Sequence, residues 1–219
     1  VSTNGQVSGR RNIVINGGMN VAQRSASETG LGAAAGYFTL DRFKLDTANS
    51  AGRLTMTQTA DGPSGFANCL KLDCTTADTS IASNESLILN QRFEGQDVQQ
   101  LKKGTSDAEK VTVSFYAKGN ASRVISVELL DGDNTRSVSS LVTVGTSWAR
   151  HIITFPADTS DPLDDDNAVS LYLNFWLHAG ADFTGGTLDT AWAERTNANR
   201  AAGIDSFYSS TDNNFFITG

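Results

Sequence analysis

Cysteine is nearly absent: the chain has two, Cys69 and Cys74. They flank "LKLD", and an offset of five puts them on opposite faces of a strand, about 16 Å apart at roughly 3.3 Å per residue. A disulfide needs Cα atoms within about 7 Å. Both therefore read as free thiols, Cys74 beside Leu70 and Leu72, which argues against a disulfide-stapled secreted module. Basic residues are also in the minority, 17 against 24 acidic, for a formal charge of −7. That balance speaks against nucleic-acid or anionic-membrane partners, which need basic patches. No apolar run reaches the roughly eighteen residues of a membrane-spanning helix. The opening "VSTNGQVSGRR" has no apolar signal core and no initiator Met, so it reads as a processed chain or an excised fragment.

Motifs for common chemistries are missing too. The two histidines, His151 and His178, sit in no zinc-like cluster. There is no Gly-x-Ser-x-Gly elbow. "INGG" and "GLGAAAG" are glycine-rich without the helix and lysine of a phosphate loop, and read as turns.

What is present is period-two patterning. "RLTMTQT", "CLKLDC", "ESLILNQRF", "KVTVSFYAKG", "RVISVELLDGDN", "ARHIITFP" and "NNFFITG" each alternate apolar with polar side chains between Gly/Asn/Asp/Ser/Thr stretches. With 39% apolar residues in a chain of 219, this predicts one all-β domain, an antiparallel sandwich or jelly roll. Helix signals are poor. "EGQDVQQLKKG" predicts one or two turns capping an end of the sandwich, and "WAERTNANRAAG" a short helix in an insertion before the last strand.

"SLYLNFWLHAG" alternates most cleanly. Leu171, Leu173, Phe175 and Leu177 form a core face, so Tyr172, Asn174, Trp176 and His178 leave by the other. Ring, amide, ring and imidazole at spacing two suit a saccharide, whose C–H faces stack on rings and whose hydroxyls need polar partners. Tyr116, on the outward parity of "VTVSFYAKG", extends that platform if the two strands pair. The plainer reading is a second buried face, covered by loops or another subunit, since large aromatics are mostly buried. Trp148 and Trp192 read as packing residues, Trp192 with a second reading as an exposed sugar contact.

"RNIVINGGMNVAQRS" followed by "GYFTLDRFKLD" resembles the opening of a family of bacteriophage tail-fibre and virion-associated domains. The positions that carry it are Asn12, Ile15, Asn16, Gly17, Gln23 and Arg24, then Asp41, Arg42 and Phe43. The middle of the chain, from "NQRFEGQDVQQLKKG" through "VTVSFYAKG" to "TSWARHIITFPAD", looks like a carbohydrate-binding-module-type jelly roll. In the phage relatives "NNFFITG" runs on into a further strand end, so this chain reads as cut there.

The resemblance implies residues 1–36 as an N-terminal extension and attachment segment, only partly packed, and 37–219 as the jelly-roll sandwich. It implies a non-enzymatic virion component, tail-fibre-like and homotrimeric. Its partners would be other virion proteins and host cell-surface polysaccharide, for which the alternation itself supplies the site: Tyr116, Tyr172, Asn174, Trp176 and His178. The alternatives are a purely architectural capsid-decorating or adaptor protein, and a polysaccharide-degrading tail spike. No cofactor is implied. The loop "ADTSDPLDDDNA", with Asp158, Asp161, Asp164, Asp165 and Asp166, offers oxygens that suit Ca²⁺. It lacks EF-hand spacing, so a solvated loop is the plainer reading.

Overall fold

A computed structural model describes residues 12–219. Among the described residues, twelve strands form two six-stranded antiparallel sheets, a jelly-roll sandwich. Sheet I has the order β1 (Ser27–Leu31), β3 (Arg53–Thr59), β4 (Cys69–Thr76), β12 (Asn214–Thr218), β6 (Val111–Gly119), β9 (Ala149–Phe155). Sheet II has the order β11 (Ala193–Glu194), β8 (Arg136–Val144), β7 (Arg123–Asp131), β10 (Val169–Ala179), β5 (Ser86–Glu94), β2 (Lys44–Ala48).

The alternation in the sequence dictates what lies between the sheets. Leu54, Met56, Leu70, Leu72, Phe115, Phe215 and Ile217 of sheet I meet Leu45, Leu89, Phe93, Val127, Leu129, Leu171, Leu173 and Phe175 of sheet II. The Phe115 and Phe175 rings meet edge-on across the sandwich at 5.1 Å. Each such side chain contributes roughly 1.5–3 kcal/mol by leaving water. Cys69 and Cys74 are both buried free thiols, and burial pushes Cys69 up to about 11.

The phage-like opening motif is a clasp at one end of the sandwich. Asn16, at φ 61°, donates from Nδ2 to the carbonyls of Val21 and Asp41. Asp41 accepts the Gln23 N–H and lies 3.6 Å from Arg24. Ile15 exchanges two backbone hydrogen bonds with the Gln91 carboxamide, and Met19 is buried. Within the segment read as an attachment extension, residues 1–11 lie outside the described part.

At the same end, where β5 finishes, "EGQDVQQLKKG" forms α1 (Gly95–Val98) and one 3₁₀ turn, Gln99–Leu101. The following Lys103 reaches inward, its ammonium held by Asp131 at 2.5 Å, Asp158 at 3.2 Å and the carbonyls of Ser160 and Asp161. Arg136 grips Asp158 through two hydrogen bonds. Asp158, considered above for Ca²⁺, is therefore committed to protein cations, while Asp164, Asp165 and Asp166 are exposed.

A long connection, residues 180–206, folds back over the outer surface of sheet II. It carries α2 (Ala181–Thr184), β11 and a 3₁₀ turn at Asn197–Asn199; the helix expected in "WAERTNANRAAG" amounts to that single turn.

Candidate functional site

The ring-bearing row of β10 leaves the core as period two requires, but it does not reach water. Trp176 is 1% exposed. It lies against Phe183 of α2, with ring centroids 5.2 Å apart, and under the Arg200 guanidinium at 4.7 Å. Trp176, Ala179 and Ala201 make a small second core outside sheet II, with Ile88, Phe183 and Ile204 packed on it. At its centre is Glu128 of β7, fully buried. Its carboxylate accepts from Asn174 Nδ2, Trp176 Nε1 and, through two bonds, Arg200. Four charge-assisted donors make this buried anion tolerable. The expected open platform is thus corrected at Trp176, covered by the chain's own 180–206 segment, and at His178, enclosed by Glu85, Ser206 and Tyr208.

His178, also fully buried, bridges Ser206 Oγ at 2.8 Å and Glu85 Oε2 at 3.0 Å. Serine, imidazole and carboxylate in line have the form of a nucleophilic triad. The cavity beside Ser206, lined by Arg123, Asp205 and Phe207, has a volume of about 10 Å³, room for one water. With His178 shut between Glu85 and the Tyr208 ring, the arrangement works as a clamp that ties Ser206 to sheet II.

Tyr116 is corrected as well. Its strand β6 pairs with β12 and β9 in sheet I, not with β10 in sheet II. It stands half-buried on the opposite outer surface, its ring 5.4 Å from that of Phe66. Trp148 stands nearby, half-buried, with Nε1 donating to the Asp61 carbonyl. Trp192 anchors its loop on the Pro156 carbonyl beneath the Lys103 ammonium. His151 stacks on Phe115 at the edge of the core, and burial lowers its pKa.

Beyond the 180–206 segment, β10, β5 and β2 carry a polar notch whose floor, Asn174 and Asn90, is buried and whose rim, Tyr172, Arg92, Lys44 and Asp46, is half-buried. Tyr172 is half-buried, opposite Arg92, whose guanidinium sits 5.2 Å from the ring centroid. One step along, Asn174 is opposite Asn90, and Asn90 opposite Lys44. Asp46 gathers this group, accepting from Asn90 Nδ2 at 2.5 Å, Arg92 Nη2 at 2.7 Å and Lys44 Nζ. Burial alone would raise the Asp46 carboxyl, but the hydrogen bonds from Lys44, Asn90 and Arg92 outweigh it and the pKa is lowered.

The two amides of the notch commit their N–H groups in opposite directions, Asn174 to Glu128 on one flank and Asn90 to Asp46 on the other. An amide's oxygen points away from its nitrogen, so both carboxamide oxygens turn toward the seam between β10 and β5. Asn90, 1% exposed, has no protein partner for Oδ1, and neither has the buried Nε of Arg92. Unpaired buried polar atoms are few in folded proteins and each is costly. One acceptor, Asn90 Oδ1, and one donor, Arg92 Nε, are thus left unpaired beside the half-buried Tyr172 ring. Asn90 and Arg92 share the outward parity of "ESLILNQRF", the signal by which the sequence could have supplied them.

Neither a protein-family model nor a curated protein matches the chain. Solved structures do, at low identity. The enzymatically active domain of tailspike protein 4 of bacteriophage CBA120 is 12% identical over 94% of this chain, with a TM-score of 0.44. This chain spans 20% of that structure's length. A CBM4 structure is 13% identical over 93% of this chain and 94% of its own, TM-score 0.46. TmCBM61, solved with β-1,4-galactotriose, is 13% identical over 95% of this chain and 94% of its own, TM-score 0.40. Likeness at this level assigns no ligand and no activity to the present chain.

Proposed function

We propose that this domain is a non-catalytic saccharide-binding module that seats a sugar in the notch of Tyr172, Asn174, Asn90 and Arg92. The observation that carries the reading is the seam between β10 and β5. A vicinal diol supplies two O–H donors to the carboxamide oxygens of Asn90 and Asn174. Arg92 Nε donates to a ring or hydroxyl oxygen, and the sugar's C–H face lies on Tyr172, displacing the Arg92 guanidinium from it. The notch is shallow, so a single site binds weakly, on the order of millimolar, and several copies gain by avidity. The opening motif's resemblance to phage tail-fibre domains supports a setting in the virion, in a homotrimer, with host cell-surface polysaccharide as the ligand.

A glycan array followed by calorimetry tests this on wild type and Tyr172→Ala. Saccharide bound by the wild type and lost in Tyr172→Ala, with the melting temperature little changed, is the expected result. A wild type that retains no glycan leaves the architectural role. Release of reducing ends from bound polysaccharide by the wild type turns the reading into that of a polysaccharide-degrading enzyme.

A further inference from the structure

The opposite surface of the sandwich carries a second set of rings. Lys71, Phe216 and Lys118 stand side by side on β4, β12 and β6. The Lys118 ammonium lies 4.7 Å from the centroid of Phe216 and 5.2 Å from that of Trp148, and Lys71 lies 5.7 Å from Phe216. Both rings are half-buried on a sheet whose other outward side chains include Tyr116, the exposed Ile152 and several short hydroxylated ones. Thr55 bonds to Thr29, Ser27 to Thr57 and Thr112 to Thr154. Arg150 of β9 is exposed, reaches Ser114 Oγ at 3.2 Å, and makes no ion pair among the described residues. Lys118 and Lys71 each hold one carboxylate, Asp61 and Asp73, which are 54% and 42% exposed.

We propose that this strip is a second, independent binding surface, and that its ligand is an acidic polysaccharide. The strip holds three cations against two solvent-washed carboxylates, on a chain whose total is −7. Two half-buried rings offer their exposed parts to the C–H faces of sugar residues, and the cations beside them pair with the carboxylates of uronate units. A neutral glycan would use the rings and leave Arg150 unpaired; an apolar partner would bury the Arg150 guanidinium without a counter-charge and desolvate the Lys71 and Lys118 ion pairs. The surface is flat and crosses four strands, which suits an extended polymer. It is separate from the Tyr172 notch, so one domain holds saccharide on both faces.

Affinity electrophoresis in polygalacturonate, with neutral dextran as the control, tests the assignment on the whole chain. Polygalacturonate retards the wild type and dextran does not. Raising salt from ~20 to ~300 mM weakens the retardation by about tenfold or more, because exposed charge pairs are screened. Phe216→Ala and Arg150→Ala each reduce it severalfold, while Tyr172→Ala leaves it intact. Thermal melts confirm that the variants fold. An unretarded wild type overturns the proposal, as does retardation that Phe216→Ala and Arg150→Ala do not touch. An oligomer that Phe216→Ala dissociates, seen by light scattering, overturns it in favour of contact with a second copy. Because Tyr172→Ala probes the notch alone, either surface can fail without the other.

Discussion

On sheet II the outward ring of Trp176 lies under Phe183 and Arg200, whereas on sheet I the rings of Phe216 and Trp148 stay half-buried, against each other and the ammoniums of two lysines. Both sets obey the same period-two rule. What separates them is a connection of 27 residues' span, 180–206, that crosses one face and not the other. The covered face has acquired a buried carboxylate and a small core. The uncovered face has stayed flat, polar and aromatic. Strand geometry decides by which side a residue leaves the core; a loop decides whether it meets water.

The sharpest way to break the comparison is to cut the ion pair that holds the cover down. Arg200→Met leaves the Glu128 carboxylate buried with only Asn174 and Trp176 as donors. Losing one partner of a buried pair costs about 3–5 kcal/mol, measurable as a lower midpoint in urea unfolding. A loss below about 1 kcal/mol would mean that the 180–206 segment rests on sheet II without being anchored there.

Ring truncations sharpen the contrast. Trp176→Ala empties a packed site and removes a donor from Glu128, so a cost of about 3–5 kcal/mol is expected. Phe216→Ala removes a half-exposed ring and should cost about 1–2 kcal/mol, by the area it already shows to water. Equal losses in the two variants would show that the sheet I rings are as much a part of the core as Trp176.

The sandwich itself was legible because its strands alternate. Leu171, Leu173, Phe175 and Leu177 face the core as read, and the short turns after Glu94 cap an end. That the Trp176 row is covered is the plainer reading of the sequence; which segment covers it was not legible. "ADFTGG" and "AWAERTNANRAAG" have no periodicity, since their side chains pack on a sheet face from irregular backbone. Arg200 gives no sign in sequence that it seeks Glu128, 72 residues away. Placing Tyr116 beside Tyr172 assumed a pairing of β6 with β10, and parity cannot tell which strands share a sheet. Asn90 and Arg92 were within reach, on the outward parity of a strand read only for its leucines.

The smallest effect separates the notch from the rest of sheet II by pH. Asp46 gathers Lys44, Asn90 and Arg92, and those hydrogen bonds hold its carboxyl below the ordinary 3.8 despite partial burial. A carboxyl whose folded pKa is depressed contributes stability that is fully present above the unfolded value. That contribution fades as pH falls through the lowered folded value. Asp158 and Asp78 are lowered too, so the wild type loses stability in acid through several groups at once. Asp46→Asn should flatten that loss only slightly, in denaturation curves taken from pH 6 down to about 2. Its effect on saccharide binding should be larger than its effect on stability, because Asn90 and Arg92 lose the anion that orients them. Should binding survive Asp46→Asn unchanged while acid stability shifts strongly, Asp46 would belong with Glu128 as a structural anchor, and the notch would lose its organising charge.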